Sequence, residues 1–525
     1  MQRVISAMRA AGVRPTIRDG RLVIDRPDAL DTDLLREVLR NEAAIVEFVL
    51  AARARYAVGA HDDRAAGTVP LTSAQGGLLF MDRLFEGSGL FNIVTEIEIR
   101  GALDLPALLR ALRHVLKCHP ILTARVADCD GTVNWIDGRW VLRDVVSIVD
   151  AGGALSAAEG ERLCRQLADR ERRRVFTGTG GWLRVTVVRI AADSWVLLMC
   201  RHHIASDGWS FAIMSQQIQD AYGRYRRGLE PEPTDPQQFW HYCQFMEHKS
   251  RDAAGMKYWL SQLAGAPREI RLPRTGAVTP RVSSAKFVRI VVPRAHLTAL
   301  TPYKITSFAY LLAVFALVLF KESRQNEFCI GTDVTTRDRP DWERVVGMFV
   351  NRLVLRIAVD DRVTVLDFLI AVQKVVSGAL EWRHTSLDRL IRRLGMNGEG
   401  GLFNVIFGLH NNPHHAFRLD HSVHCRMREV RLLASEVDLS LYFTSTRSIF
   451  NGVLAYRDEC FAADWVQRFA NQYCSLAAAI AGGLQASLSK LALLDADQDS
   501  ESLAKQWQAL YTQGGALSFG DNHDE

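Results

Sequence analysis

The sequence predicts a mixed α/β protein with a small N-terminal unit and a larger body in two successive halves. Three observations carry this. A strongly apolar, β-favouring run at 195–200 is followed by a turn and then by helical spacing over 209–222. The later half follows the same plan without repeating the sequence, with a helix at 307–320 and a buried strand at 328–332. The first 57 residues have a helix–hairpin–helix pattern of their own, centred on Asp19-Gly20, a dipeptide that favours two-residue hairpin turns.

Bulk properties narrow the function classes. A chain of 525 residues with 48% hydrophobic content can form about two to four domains with sizeable cores. The net charge of +5 gives no global basic field, so no nucleic-acid partner is expected. Nine cysteines, odd in number and without CxxC spacing, fit a reduced, cytoplasmic protein. The N-terminus lacks a secretion signal, and the longest apolar stretch, 308–320, is too short to span a bilayer. No membrane association and a monomeric state are expected.

In chain order, Val4, Ile5 and Met8 mark a short helix stopped near Gly12. Two strands then flank Asp19-Gly20 and carry Ile17, Leu22 and Val23. Asp31 or Thr32 can cap a second helix, whose apolar positions Leu34, Leu35, Val38, Leu39, Ile45, Val46 and Val49 fit a 3.6-residue period. The hairpin offers an edge strand and the cations Arg14, Arg18, Arg21 and Arg26. A core this small favours recognition over chemistry. Residues 58–68 are small and polar and read as a linker, and the tail after 493 is polar and expected to be disordered.

The body centres on 201–210, RHHIASDGWS. The apolar strand delivers His202 and His203 into a turn closed by Asp207-Gly208, where side chains are rigidly held yet accessible. Successive side chains of an extended chain point to opposite faces, so one histidine can face a cleft while the other supports structure. Taken singly, these are ordinary core histidines and a common turn. Adjacent histidines rarely reach one ion together and no third ligand has suitable spacing, so no metal is expected.

The whole string HHxxxDG resembles the signature of chloramphenicol-acetyltransferase-like acyltransferases, and HHIASDGWS the form found in condensation domains of nonribosomal peptide synthetases. Further motifs follow in that family's order. Ser73-Ala74-Gln75 stands at the opening, with Gly76-Gly77 replacing bulkier residues. His119-Pro-Ile-Leu follows, with Thr123 where the family has arginine. The second half carries GTDVTTRDRP with Arg337, then VGMFVN ending at Asn351, then LFNVIFGLHN with His410 replacing glutamine. The weakest match is at His384. The resemblance covers about 69–493, with an N-terminal lobe over 69–247 and a C-terminal lobe over 248–493. Residues 1–57 resemble the β-hairpin docking domains of hybrid polyketide/nonribosomal peptide assembly lines.

The resemblance implies a two-lobed, V-shaped fold with a central tunnel, preceded by the docking unit. It implies that His203 acts on the incoming nucleophile and that the backbone N–H of Gly208 approaches the oxyanion. His202 is then structural, and Asp207 pairs with an arginine, identified as Arg337, instead of completing a triad. Ser73, Gln75, Trp209, Ser210 and Asn351 become candidates for the tunnel or the bridge between lobes. Arg14, Ile17, Arg18, Arg21, Leu22, Val23 and Arg26 become candidates for docking, with the hairpin capturing a C-terminal linear motif of an upstream carrier-protein-containing synthase by strand addition. The chain is expected to bind no cofactor of its own, since 4′-phosphopantetheine comes with the carrier protein. The acceptor is a small molecule or a carrier-bound group.

No adenylation, carrier-protein or thioesterase signature is found, so a stand-alone condensation protein that releases its chain as an ester or amide is expected. The alternatives are a non-catalytic recruitment adapter, which an intact HHxxxDG disfavours, and an epimerisation-type domain, whose other motifs are not evident. A wax-ester acyltransferase is disfavoured by the docking unit and GMFVN, and a cyclisation domain by the intact histidine pair.

Overall fold

The computed structural model describes residues 15–18, 21–24, 31–43 and 46 in the N-terminal stretch. From 68 to 492 it describes all but 85–88, 130–131, 152–154, 178–180, 233–237, 276–282, 395–400, 411–416, 422, 429–433 and 436. The chain divides into two units between Gly67 and Thr68.

In the first unit, β1 (Pro15–Arg18) and β2 (Arg21–Ile24) pair antiparallel, with Ile17 opposite Leu22 and Arg18 opposite Arg21. Two residues connect the strands, as the hairpin reading requires. Asp19, Gly20, the expected first helix, Arg14 and Arg26 lie outside the described residues. The helix Thr32–Arg40 is capped by Asp31, whose carboxylate accepts from the Leu34 N–H at 2.7 Å. Val38 is buried and Leu39 exposed, although both fit the apolar stripe. Successive helical residues lie about 100° apart, so only one of the two can sit at the centre of the buried face. The Leu22 N–H points out of the hairpin and donates to the Glu42 carboxylate at 3.2 Å.

The second unit begins with β3 (Thr68–Pro70), β4 (Asn92–Gly101), β5 (Arg125–Cys129), β6 (Thr132–Ile136), β7 (Val146–Asp150), β8 (Leu183–Ala191) and β9 (Ser194–His202). Its later half contributes β10 (Ser283–Pro293), β11 (Glu327–Thr335), β12 (Val350–Ala358), β13 (Val405–His410), β14 (Val423–Arg428), β15 (Ala434–Ser435), β16 (Leu439–Ser445) and β17 (Ile449–Arg457). One sheet has the order β14-β4-β9-β8-β7, and a small one β3-β6-β5. A seven-stranded sheet has the order β12-β11-β13-β16-β17-β10-β15.

Each large sheet has its own apolar core. The run 308–320 falls within the helix Ser307–Ser323, which is buried continuously from Ala309 to Leu319. Among the described residues no single helix is long and apolar enough to cross a membrane. Along β16, Leu439, Leu441 and Phe443 enter the helical core, which leaves Ser440, Tyr442 and Thr444 on the opposite face.

The halves are interleaved. β14, late in the chain, pairs antiparallel with β4 of the first sheet. Trp342 and Phe349 insert into the first core. Near the start of the helix Ser73–Leu84, the Ser73 hydroxyl meets the Ser386 hydroxyl at 2.6 Å and donates to the Asp388 carboxylate at 2.8 Å. The Asn351 amide donates to the carbonyls of Arg383 and Thr385. These contacts fix the opening helix and the start of β12 against the same short segment.

Candidate active site

β9 is central in its sheet, hydrogen-bonded to both β4 and β8, and ends at His202. The backbone holds both histidines: the His202 N–H donates to the Trp182 carbonyl at 3.0 Å and the His203 N–H to the Phe91 carbonyl at 2.9 Å. His203 opens the single 3₁₀ turn His203–Ala205, so it lies just past the strand. The carbonyl of Ile204 within this turn accepts from the Gln75 amide at 2.8 Å. Gln75 is fully buried, and its oxygen accepts from the Thr72 N–H and the Trp135 indole. Gln75 therefore braces the histidine turn from beneath.

His202 is fully buried among Phe91, Phe176 and Trp182. Its Nδ1 accepts from the Ile204 N–H at 3.2 Å, so Nδ1 is unprotonated, and Nε2 faces Asp82 at 3.6 Å. Burial lowers its pKa against the opposing pull of Asp82, which keeps the ring neutral near pH 7. His203 is only half-buried, and its Nδ1 is buried without a hydrogen-bond partner. The two neighbours thus divide: one is packed in aromatic rings, the other keeps accessible surface.

Asp207 caps the helix Gly208–Arg226, accepting from the Ser210 N–H at 2.7 Å and from the Ser210 hydroxyl at 2.6 Å. The Arg337 guanidinium reaches both carboxylate oxygens, at 3.2 and 3.3 Å, and the Phe349 N–H donates to Oδ2 at 3.1 Å. Arg337 also donates to the carbonyls of Trp342 and Val345 and lies 3.8 Å over the Phe349 ring. The Ser210 hydroxyl oxygen lies 2.8 Å from the Gly347 carbonyl and accepts from the Gly347 N–H at 3.0 Å. Burial alone would raise the Asp207 pKa, but the Arg337 charge and these hydrogen bonds outweigh it and hold the carboxyl below its usual range. The carboxylate is fully engaged away from His203, and no Asp–His couple forms.

Gly208 is exposed at the first helical position, where an N–H has no intrahelical acceptor. The Trp209 indole donates to the Glu343 carbonyl at 3.0 Å. Ser73, Ser210 and Asn351 are engaged in hydrogen bonds that tie the halves together. Among the described residues no cluster of His, Cys, Asp and Glu could hold a metal ion.

Sequence reasoning passed over a second polar group. Asp333 on β11 pairs with Arg352 on β12, Nε to Oδ1 at 2.8 Å and Nη2 to Oδ2 at 3.2 Å. The Tyr442 hydroxyl on β16 donates to Oδ2 at 2.8 Å, and His410 on β13 stacks on the Tyr442 ring at 5.0 Å. Asp333 lies within the GTDVTTRDRP run and Arg352 just after Asn351, but nothing in their spacing connects them to the other two.

A family model of the condensation domain matches residues 65–503. The chain is 26% identical over 464 residues to a component of the linear gramicidin synthase of Brevibacillus parabrevis, an alignment covering 84% of this chain and 9% of that relative. The chain thus spans a small part of that relative's length. Its fold matches the X-domain from teicoplanin biosynthesis with a TM-score of 0.72 and 22% identity, over 82% of this chain and 98% of that one. It also matches the first condensation domain of the calcium-dependent antibiotic synthetase, in complex with a substrate analogue, with a TM-score of 0.66 and 19% identity over 82% and 100% of the two chains. The chain belongs to the condensation-domain family of nonribosomal peptide synthetase assembly lines.

Proposed function

We propose that this protein transfers an acyl chain from a carrier-protein thioester to the hydroxyl or amine of an acceptor and so releases the chain as an ester or amide. The observation that supports this most is the division between His202 and His203. A buried neutral histidine and a helix-capping aspartate fix the turn, leaving His203 half-exposed and uncommitted.

The chemistry follows from that arrangement. The acceptor oxygen or nitrogen attacks the thioester carbonyl, and the nucleophile's proton passes to His203 through Nε2, the ring nitrogen farther from the backbone. The oxyanion that forms faces the first turn of the helix Gly208–Arg226, where the Gly208 N–H can donate. As the carbonyl re-forms, the carbon–sulfur bond breaks and the departing sulfur takes the proton back as a thiol. Neither serine nor cysteine is acylated. Donor and acceptor reach His203 through a tunnel between the halves, and the phosphopantetheine arm belongs to the carrier partner.

The N-terminal hairpin recruits the upstream synthase by adding its C-terminal motif as a strand. Glu42 already occupies the outward N–H of Leu22 on β2, which favours the β1 side, Pro15–Arg18, for strand addition. A docking unit ahead of a condensation domain is similar to the chain-releasing condensation protein of the enacyloxin assembly line.

The test is intact-protein mass spectrometry of an acyl-loaded carrier, with and without its native C-terminal tail, offered a panel of free alcohols and amines. Ester formation that weakens when the tail is removed is expected. Transfer to amines alone would assign amide release instead. Carrier binding with the thioester untouched would overturn acyl transfer in favour of a recruitment adapter.

A further inference from the structure

The opening helix Ser73–Leu84 holds the histidine turn at two points along one face. Gln75 and Asp82 are seven residues apart on it, close to two full helical turns, so their side chains project from the same side. Gln75 donates to the Ile204 carbonyl at 2.8 Å. Asp82 sets its Oδ2 3.6 Å from Nε2 of His202, and Nδ1 of that same ring accepts from the Ile204 N–H at 3.2 Å. Both backbone groups of Ile204 are therefore held by side chains, the carbonyl by Gln75 and the N–H by the ring that Asp82 faces.

These contacts fix the backbone of His203. Its N–H donates to the Phe91 carbonyl at 2.9 Å, and its carbonyl accepts from the Ser206 N–H at 3.3 Å. The Ile204 N–H belongs to the peptide bond that leaves His203, so the His202 ring holds the chain downstream as Phe91 holds it upstream. The ring can do this only with its proton on Nε2, because Nδ1 must present a lone pair. That Nε2 is buried without a hydrogen-bond partner, and the Asp82 carboxylate it faces is only 12% exposed. Since burial keeps His202 neutral, the contact is one of charge with an N–H dipole and not an ion pair. A fixed negative charge beside Nε2 favours the tautomer that carries the proton there, and it makes Nδ1 the stronger acceptor.

We infer that Asp82 is a positioning residue that acts through His202 to hold the turn presenting His203 to the acceptor. The inference rests on the acyl-transfer reading above, in which His203 takes the acceptor's proton. In this role Asp82 moves no proton and touches no reacting atom. Proton transfer to a ring depends steeply on distance and angle, so a turn free to shift by ~1 Å loses up to ~10²-fold in rate with no loss of acceptor binding. The helix that carries Asp82 is itself anchored at Ser73 to Ser386 and Asp388, which gives the carboxylate a fixed base.

The test separates charge from shape at position 82. Single-turnover transfer from an acyl-loaded carrier is measured for wild type, Asp82→Asn and Asp82→Glu, with urea unfolding of each protein alongside. Glycerol and hydroxylamine are the acceptors, and the variants are compared with whichever wild type uses faster. Asp82→Asn keeps the shape but loses the charge, and its amide can turn either an oxygen or an NH₂ to the ring. It should lose ~10-fold in maximal rate with the half-saturating acceptor concentration unchanged. Asp82→Glu keeps the charge and should stay within about threefold of wild type. A merely space-filling role predicts the reverse order, with Asp82→Asn harmless and the longer side chain damaging. Losses of rate that only follow losses of urea stability would likewise overturn the inference, as would a change confined to the half-saturating concentration. In each of those cases an active wild type leaves acyl transfer standing. Wild type inert to both acceptors would overturn the acyl-transfer reading and this inference with it.

Discussion

Two aspartate–arginine pairs, Asp207 with Arg337 and Asp333 with Arg352, differ in how they are held. Asp207 and Arg337 are sealed, at 6% and 2% side-chain exposure, and are wrapped by backbone groups of Gly347, Phe349, Trp342 and Val345. Asp333 and Arg352 bind each other through two hydrogen bonds but remain part-open on the face of a sheet. The first pair sits in a shell of fixed dipoles, so its charges balance each other and hold the helix Gly208–Arg226 in place. The second retains accessible surface. The comparison teaches that the aspartate inside the HHxxxDG motif is a structural tie between distant segments, sealed by Arg337 and the Phe349 N–H.

Breaking the comparison at its centre should have the largest effect. His203→Ala should lower transfer to an alcohol by ~10²–10⁴-fold, read as single-turnover rate, with an unchanged circular dichroism spectrum. The sealed pair comes next. Arg337→Ala leaves a buried carboxylate without its countercharge and should destabilise the body by ~3–5 kcal/mol in urea unfolding. Asp333→Asn should cost far less stability, since solvent can reach the Arg352 guanidinium left behind. If the two variants unfolded at the same urea concentration, the sealed-versus-open distinction would be lost.

The third effect is acid-dependent. His119 is buried against Gln217 at 2.6 Å, and burial, opposed only in part by that hydrogen bond, lowers its pKa to about 4. The unfolded chain gains a proton near pH 6.5 that the folded chain resists, so this stability is present above 6.5 and is lost as pH falls from 6.5 towards 4. Unfolding at pH ~5 should show a loss of about 2 kcal/mol from His119 relative to pH ~7.5, with His202 adding in the same direction. His119→Leu should flatten that slope. The smallest expected effect is at the latch between halves: Ser73→Ala removes the contacts to Ser386 and Asp388 and should cost ~1 kcal/mol in urea unfolding.

What the sequence made legible depended on distance along the chain. The strand, turn and helix around HHxxxDG are local, so periodicity and one Asp-Gly gave their positions. The Asp31 cap was visible for the same reason, as a polar residue just before an apolar periodic run. Arg337 is 130 residues from Asp207 and came into view only through the family resemblance. The Asp333 row was not visible because its members lie on four strands whose adjacency is a property of the sheet order. The crossing of β14 into the first sheet was hidden for the same reason.

The most direct test is the single-turnover rate of thioester loss from an acyl-loaded carrier, measured side by side for wild type and His203→Ala with a competent alcohol acceptor. The account predicts rapid conversion by wild type and a loss of ~10²–10⁴-fold in the variant at unchanged carrier affinity. Equal rates for the two proteins would contradict it, because the proton would then have to leave without His203.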